Sequence, residues 1–270
     1  MKKIIYTSFI ILLSFFISSW CFCFDYKVYA KSENPKLCII IDDFGSYDQS
    51  GVETMLSIDA PITCAVMPNV DNTKLNSEQI INANKEVIIH MPMQACVNMP
   101  QSWYGPTYIG SSDTKNDVYK KLDDAYKNIP MAKGFNMHIG SGVCQNKNVM
   151  GYVYDYAKEK NQFFIDSRTH INTTCDKVAK EKNIIYLGRD EFLEPDHNRS
   201  YDSVKKHLLI GANLAKEKGY AIVIGHVGAH GGENTAKAIK DTISDIKDMK
   251  VDIVFASELY EFLTKNKSTT

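Results

Sequence analysis

Residues Leu37-Cys-Ile-Ile-Ile-Asp-Asp-Phe-Gly45 decide how the rest of the chain is read. An apolar, mostly β-branched run stops at two adjacent carboxylates, an aromatic and a glycine. The run lacks the polar/apolar alternation of a half-exposed strand, so it reads as a strand of a parallel sheet, buried on both faces. Two carboxylates at its end cannot both be buried and ionised without partners. A metal ion is the simplest partner. The plain alternative is a surface turn, since Asp and Gly both favour turns.

Working outward, strands and helices alternate with few interruptions. Strands are expected at 37–43, 62–67, 86–90, 134–138, 162–166, 183–187, 220–226 and 251–256. Helices are expected near 47–57, 73–84, from 112, at 147–160, 174–182, 200–217 and 234–247, with Gly219 as a C-terminal stop. A long loop, Met91 to Ser111, carries Trp103 and Tyr104 and serves either as a sugar platform or as a packed lid. Regular β–α alternation over one continuous stretch implies an irregular (β/α) barrel of about seven to eight parallel strands. An open doubly wound sheet is the second choice, and no Gly-x-Gly-x-x-Gly follows the first strand to support it.

The 270 residues carry a formal net charge of -1, which argues against electrostatic binding of nucleic acid. Lys2 and Lys3 precede an apolar run from Ile4 to about Phe24, and Val28-Tyr-Ala30 offers small residues at signal-peptidase positions. Residues 1–30 therefore read as a secretory signal peptide cleaved after Ala30, or as an uncleaved membrane anchor. Both readings place the protein outside the cytoplasm, secreted or in the cell envelope. Residues 31–36 form a linker, and 37–270 form the folded domain. Five cysteines lie beyond the leader, an odd number that does not make a disulfide scaffold. Cys96 and Cys144 either pair or remain free thiols.

The alternation turns scattered polar residues into a pattern. Asp42 and Asp43 end the first strand, His90 the third, His138 the fourth, Asp166 the fifth and His226 the seventh, and Arg189 follows the sixth. In a parallel barrel these ends share one face, where active sites are built. Two imidazoles and a carboxylate with an open position form a hydrolytic metal site, and a second carboxylate and a further histidine supply general base and acid. His207 reads as solvated, and His170, His197 and His230 read as rim residues. Arg168 either orients a carboxylate through a charge-assisted pair or forms a structural salt bridge.

Ile41-Asp-Asp-Phe-Gly45, Ile89-His-Met-Pro-Met93, Gly134-Phe-Asn-Met-His-Ile-Gly-Ser141, Asp166-Ser-Arg-Thr169, Arg189-Asp-Glu-Phe-Leu193 and Ile224-Gly-His226 occur in order. Together they resemble the divergent polysaccharide deacetylase family, within the glycoside hydrolase/deacetylase barrels. The resemblance implies an irregular, roughly seven-stranded barrel and a metal-dependent deacetylase. It implies Asp42 as general base, Asp43 and His90 as metal ligands and His226 as general acid. The better-known enzymes place two histidines four residues apart; here Gln94 stands four after His90, and His138 looks like the replacement.

The reaction so implied removes acetyl groups from an acetylated polysaccharide or peptidoglycan-type glycan, with Zn2+ as the expected ion. Asp166 would hold His226 or a ligand imidazole, and backbone N–H groups of Ile139 or Gly140 would assist the oxyanion. The alternative is a catalytically inactive carbohydrate-binding or envelope-assembly protein on the same barrel.

Overall fold

The computed structural model describes residues 33–267. The leader or anchor expected over 1–30 lies outside them. Among the described residues no helix is long and apolar enough to cross a membrane.

The chain is an irregular (β/α) barrel. Its strands are β1 (Lys36–Phe44), β2 (Thr63–Val66), β3 (Glu86–Met93), β4 (Gly134–Ile139), β5 (Phe163–Asp166), β6 (Leu187–Gly188), β7 (Glu191–Phe192), β8 (Tyr220–His226) and β9 (Asp252–Val254). They pair in the order β6-β5-β4-β3-β2-β1-β8-β7, every pair parallel. β2 lies against Ile40–Phe44 of β1, and β9 against Lys36–Cys38. The path ends at β6 and β7, which are joined by residues 189 and 190 and do not pair, so the barrel is open along one seam. The strand expected at 183–187 is therefore only its last residue plus Gly188, and the loop expected after it contains β7.

Alternation along each strand divides two apolar clusters. Leu37, Ile39 and Ile41 of β1, Val87 and Ile89 of β3, Phe135 and Met137 of β4, Phe164 of β5 and Val223 of β8 pack in the larger one, with the helices. Cys38, Ile40, Ile88, Ile165, Leu187, Ile222 and Ile224 pack in the smaller one, inside the barrel. The terminal helix Ala256–Lys267 joins them through Ala256 and Leu259 and plugs the end of the barrel away from the strand C-termini. Side chains two residues apart share a face. Continuing the inner row past the apolar residues predicts what the open end of the barrel presents: Asp42, His90, Asn136, His138 and His226.

Asp43 should then point outward, and it does not. The β1–β2 register slips between Ile41↔Cys64 and Phe44↔Val66, placing an extra residue in β1. Asp43 sits at φ 69, in the left-handed region. Such a bulge re-aims a side chain, and Asp42 and Asp43 line one cleft. Ile139 (φ 62) and Arg168 (φ 48) take the same conformation at the ends of β4 and β5. For a β-branched residue such as Ile139 this is strained backbone, and it occurs beside the cleft.

Candidate metal centre and active site

Three ligand atoms from three strand ends converge. Asp43 Oδ1 is 3.4 Å from His90 Nε2 and 3.2 Å from His138 Nδ1, and the two nitrogens are 3.0 Å apart. A tetrahedral ion about 2.0–2.1 Å from each ligand would separate the ligand atoms by about 3.3 Å. The triangle fits three corners of that figure.

The chemistry of the donors agrees with the spacing. His90 Nδ1 lies 2.7 Å from Asn136 Oδ1, and His138 Nε2 lies 3.0 Å from the carbonyl oxygen of Trp103. Both partners only accept, so each imidazole donates there and turns a lone pair toward Asp43. Two lone pairs and a carboxylate oxygen in mutual contact require a cation or a proton between them. Burial opposes charging of His90, but Asp42 and Asp43 outweigh it and raise its pKa. Burial likewise opposes ionisation of Asp43, yet the imidazoles of His138, His230 and His90 gathered around it hold its carboxyl well below the usual range. The pocket is built for positive charge.

Asp42 occupies a different position. Its Oδ1 accepts from Asn136 Nδ2 at 2.7 Å and lies 3.6 Å from Nδ1 of His90, the nitrogen that faces away from Asp43. Burial pushes its carboxyl above the usual range, with His90, His226 and Asn136 pulling the other way. A carboxylate so placed lies outside the ligand triangle and is suited to accepting a proton.

His226 stands opposite, in register with Asp42 across the β1–β8 ladder. Its Nδ1 lies 3.1 Å from Glu194 Oε2, while Glu194 Oε1 accepts from the His226 backbone N–H at 3.1 Å and from Thr235 Oγ1 at 2.7 Å. Burial would lower the His226 pKa, but Glu194 overrides this and the pKa is pushed up to about 9. Glu194 thereby favours the charged imidazole. Glu194 is buried, and no sequence expectation fell on it. The signal was its place two residues after Phe192, on the inner row of a strand too short to notice.

Several expectations are corrected. Asp166 holds neither His226 nor a ligand imidazole. It accepts from Thr173 Oγ1, Tyr186 OH and the Arg168 N–H. The reason is parity: Phe164 packs in the outer cluster, and Asp166 shares its face. Arg168 makes neither of the expected carboxylate pairs; Nε donates to Tyr186 OH and Nη1 to the Arg189 carbonyl. The Gly140 N–H donates to Met93 O at 2.9 Å and is spent for an oxyanion. His230 is no mere rim residue, since its Nδ1 donates to Asp43 Oδ2 at 2.9 Å and fixes the oxygen that faces away from the ligand triangle. His207 is not simply solvated but pairs with Glu191 at 2.7 Å. Cys96 and Cys144 are free thiols. The Met91–Ser111 loop begins as strand to Met93 and includes a short helix, Gln101–Tyr104. Tyr104 is packed, its hydroxyl accepting from the Ala95 N–H, whereas Trp103 is about half exposed and lines the cleft.

A model of the family described as divergent polysaccharide deacetylase matches residues 39–260. An uncharacterised protein of Haemophilus influenzae is 29% identical over 191 residues, 71% of this chain and 66% of that protein, so the match spans just under two thirds of the relative. Among solved structures, an uncharacterised protein of Agrobacterium tumefaciens C58 superimposes with TM-score 0.75 at 15% identity, covering 86% of this chain and 91% of that one. A CE4 family pseudoenzyme of Bacillus anthracis gives TM-score 0.51 at 14% identity, covering 85% and 66%. At these identities the likenesses are of fold alone.

Proposed function

Because this chain belongs to the divergent polysaccharide deacetylase family, we propose that it is a metal-dependent hydrolase that removes acetyl groups from a cell-envelope glycan. The observation that carries the reading is the ligand triangle of Asp43, His90 and His138, with Asp42 and His226 on its flanks. Asp43 Oδ1, His90 Nε2 and His138 Nδ1 would hold the ion, and zinc suits a set of two imidazoles and one carboxylate. When bound, the ion supplies Lewis acidity toward the acetyl carbonyl and toward water.

The chain's own residues do the rest. Asn136 and the Trp103 carbonyl fix the tautomers of His90 and His138. Asp42 accepts the proton of the attacking water. His226, charged and held by Glu194, donates a proton to the departing amine or alcohol as the C–N or C–O bond breaks. Each proton transfer contributes about 10²–10⁴-fold. Trp103 offers a face on which a sugar ring can stack, and the apolar run from Ile4 to about Phe24, read as a signal peptide or anchor, supports an extracytoplasmic site of action.

The test is metal content and acetate release from chitooligosaccharide and peptidoglycan fragments. One equivalent of zinc, lost in His90→Ala, and acetate from a glycan are expected. A wild type without tightly bound metal would refute the metallohydrolase, and bound metal with no acetate from any glycan would favour a binding protein on this barrel.

The pH profile gives a separate expectation. Activity that needs the His226 proton falls on the alkaline side, near pH 9. Glu194→Gln removes the charge that holds that proton, so the alkaline limb moves to lower pH. The linked stability has the same sign: it is fully present below about pH 6.5, the unfolded value, and is lost as pH rises through about 9. An alkaline limb unmoved in Glu194→Gln would remove His226 from the acid role.

A further inference from the structure

Two arginines line the cavity that also holds Asp42 and His226, and the mechanism above uses neither. Arg168 Nη1 donates to the Arg189 carbonyl at 3.1 Å, and Arg189 Nη2 donates to the Arg168 carbonyl at 2.9 Å. Arg168 Nε is tied to Tyr186 OH at 3.0 Å and Arg189 Nε to Ser167 O at 2.7 Å. The Arg189 guanidinium also lies 4.8 Å from the centre of the Phe192 ring. Both planes are thereby fixed in advance.

Neither arginine forms an ion pair with a carboxylate among the described residues. After the bonds above, Nη2 of Arg168 and Nη1 of Arg189 have no acceptor among the described residues. Both residues line one cavity of about 360 Å3 with Asp42, His90 and His226. Holding the β5–β6 end together needs hydrogen bonds, which neutral side chains could supply. It does not need two permanent charges on the wall of the reaction cavity.

The opposite side of the site has the reverse character. A second cavity of about 600 Å3 meets the first at Asp43, Trp103, His138 and His230. Asp48 and Asp71 line it, and no lysine or arginine among the described residues does. The cleft is therefore polarised across the metal centre. Guanidinium groups bind carboxylate and phosphate through charge-assisted, often bidentate bonds.

We propose that Arg168 and Arg189 form a subsite for an anionic substituent of the glycan, a carboxylate or a phosphate, carried beside the acetyl group that is removed. This specificity rests on the deacetylase reading. It also sets direction, since the acidic cavity repels the same substituent and the glycan is accepted one way round.

The experiment uses the purified zinc-loaded protein and three probes. One is the alternating N-acetylglucosamine–N-acetylmuramic acid tetrasaccharide with free lactyl carboxylates. The second is its carboxamide derivative, of the same shape without the charge. The third is chitotetraose phosphorylated at a 6-hydroxyl. Binding is measured by calorimetry at low and high salt, and acetate release is followed in parallel. A charged probe is expected to bind at least about tenfold tighter than the carboxamide at low salt. Arg168→Gln should reduce that preference, and the double variant Arg168→Gln/Arg189→Gln should abolish it. Whichever of carboxylate and phosphate binds tighter identifies the substituent.

Equal binding of all three probes by the wild type overturns the subsite, and this comparison needs no variant to fold. Full wild-type preference in a folded Arg168→Gln/Arg189→Gln variant overturns it as well. The two readings fail separately: charge preference without acetate release refutes the deacetylase and keeps the subsite, and acetate release without preference does the reverse.

Discussion

Asp42→Asn should retain zinc and lose turnover by about 10²–10⁴-fold, whereas Asp43→Ala should lose the ion itself. The two residues are neighbours in sequence, yet they meet different atoms. Asp43 Oδ1 lies within 3.4 Å of both lone-pair nitrogens, so its removal takes one corner from the triangle. Asp42 approaches His90 from the Nδ1 side and bonds Asn136, so its amide analogue leaves the triangle whole and removes only the proton acceptor. Metal content after gel filtration, read beside acetate release, checks both. Equal metal loss in the two variants would overturn the division of roles.

Asn136→Leu should weaken zinc binding by about 10–100-fold, the usual cost of removing the group that orients a ligand imidazole. Asn136 is fully buried and bridges the two halves of the chemistry, accepting from His90 Nδ1 and donating to Asp42 Oδ1. Leucine fills similar space and does neither. His90 is then free to take the other tautomer, with its proton directed at Asp43. Turnover should therefore stay low even at saturating zinc, because Asp42 has also lost its donor. Zinc titration against a competing chelator measures the first effect. Wild-type affinity in this variant would show that Asn136 does not orient the ligand.

Much of this arrangement was legible before any coordinates, and the reason is strand parity. Buried runs such as Leu37–Ile41 announced parallel strands, and their polar ends announced a shared rim. The same parity would have corrected the weaker expectations. On β5 the inner row is Phe163 and Ile165, so Asp166 had to face the helices. On β4 the outer row is Phe135 and Met137, so Asn136 had to join His138 inside. Two features were not readable. The bulge at Asp43 breaks parity, and no residue type in Asp42-Asp-Phe-Gly45 dictates which carboxylate turns. Glu194 follows a two-residue strand, too short for any periodicity to register. His230 was misjudged because a glycine-rich loop gives no direction for its side chains.

The register Asp42↔His226 has a consequence in the order of events. Asp43, His90 and His138 all lie within the first 138 residues, on β1, β3 and β4, which β2 joins into one run of the sheet. The proton donor and its Glu194 arrive only with β7 and β8, on the other edge of β1. That edge stays without its partner strand until the last quarter of the chain is present, and such long-range pairing is slow. Refolding should therefore pass through a stage in which zinc is already captured and hydrolysis is still absent. On the proposed reading, activity would begin only with that late pairing, whose final rung sets Asp42 opposite His226.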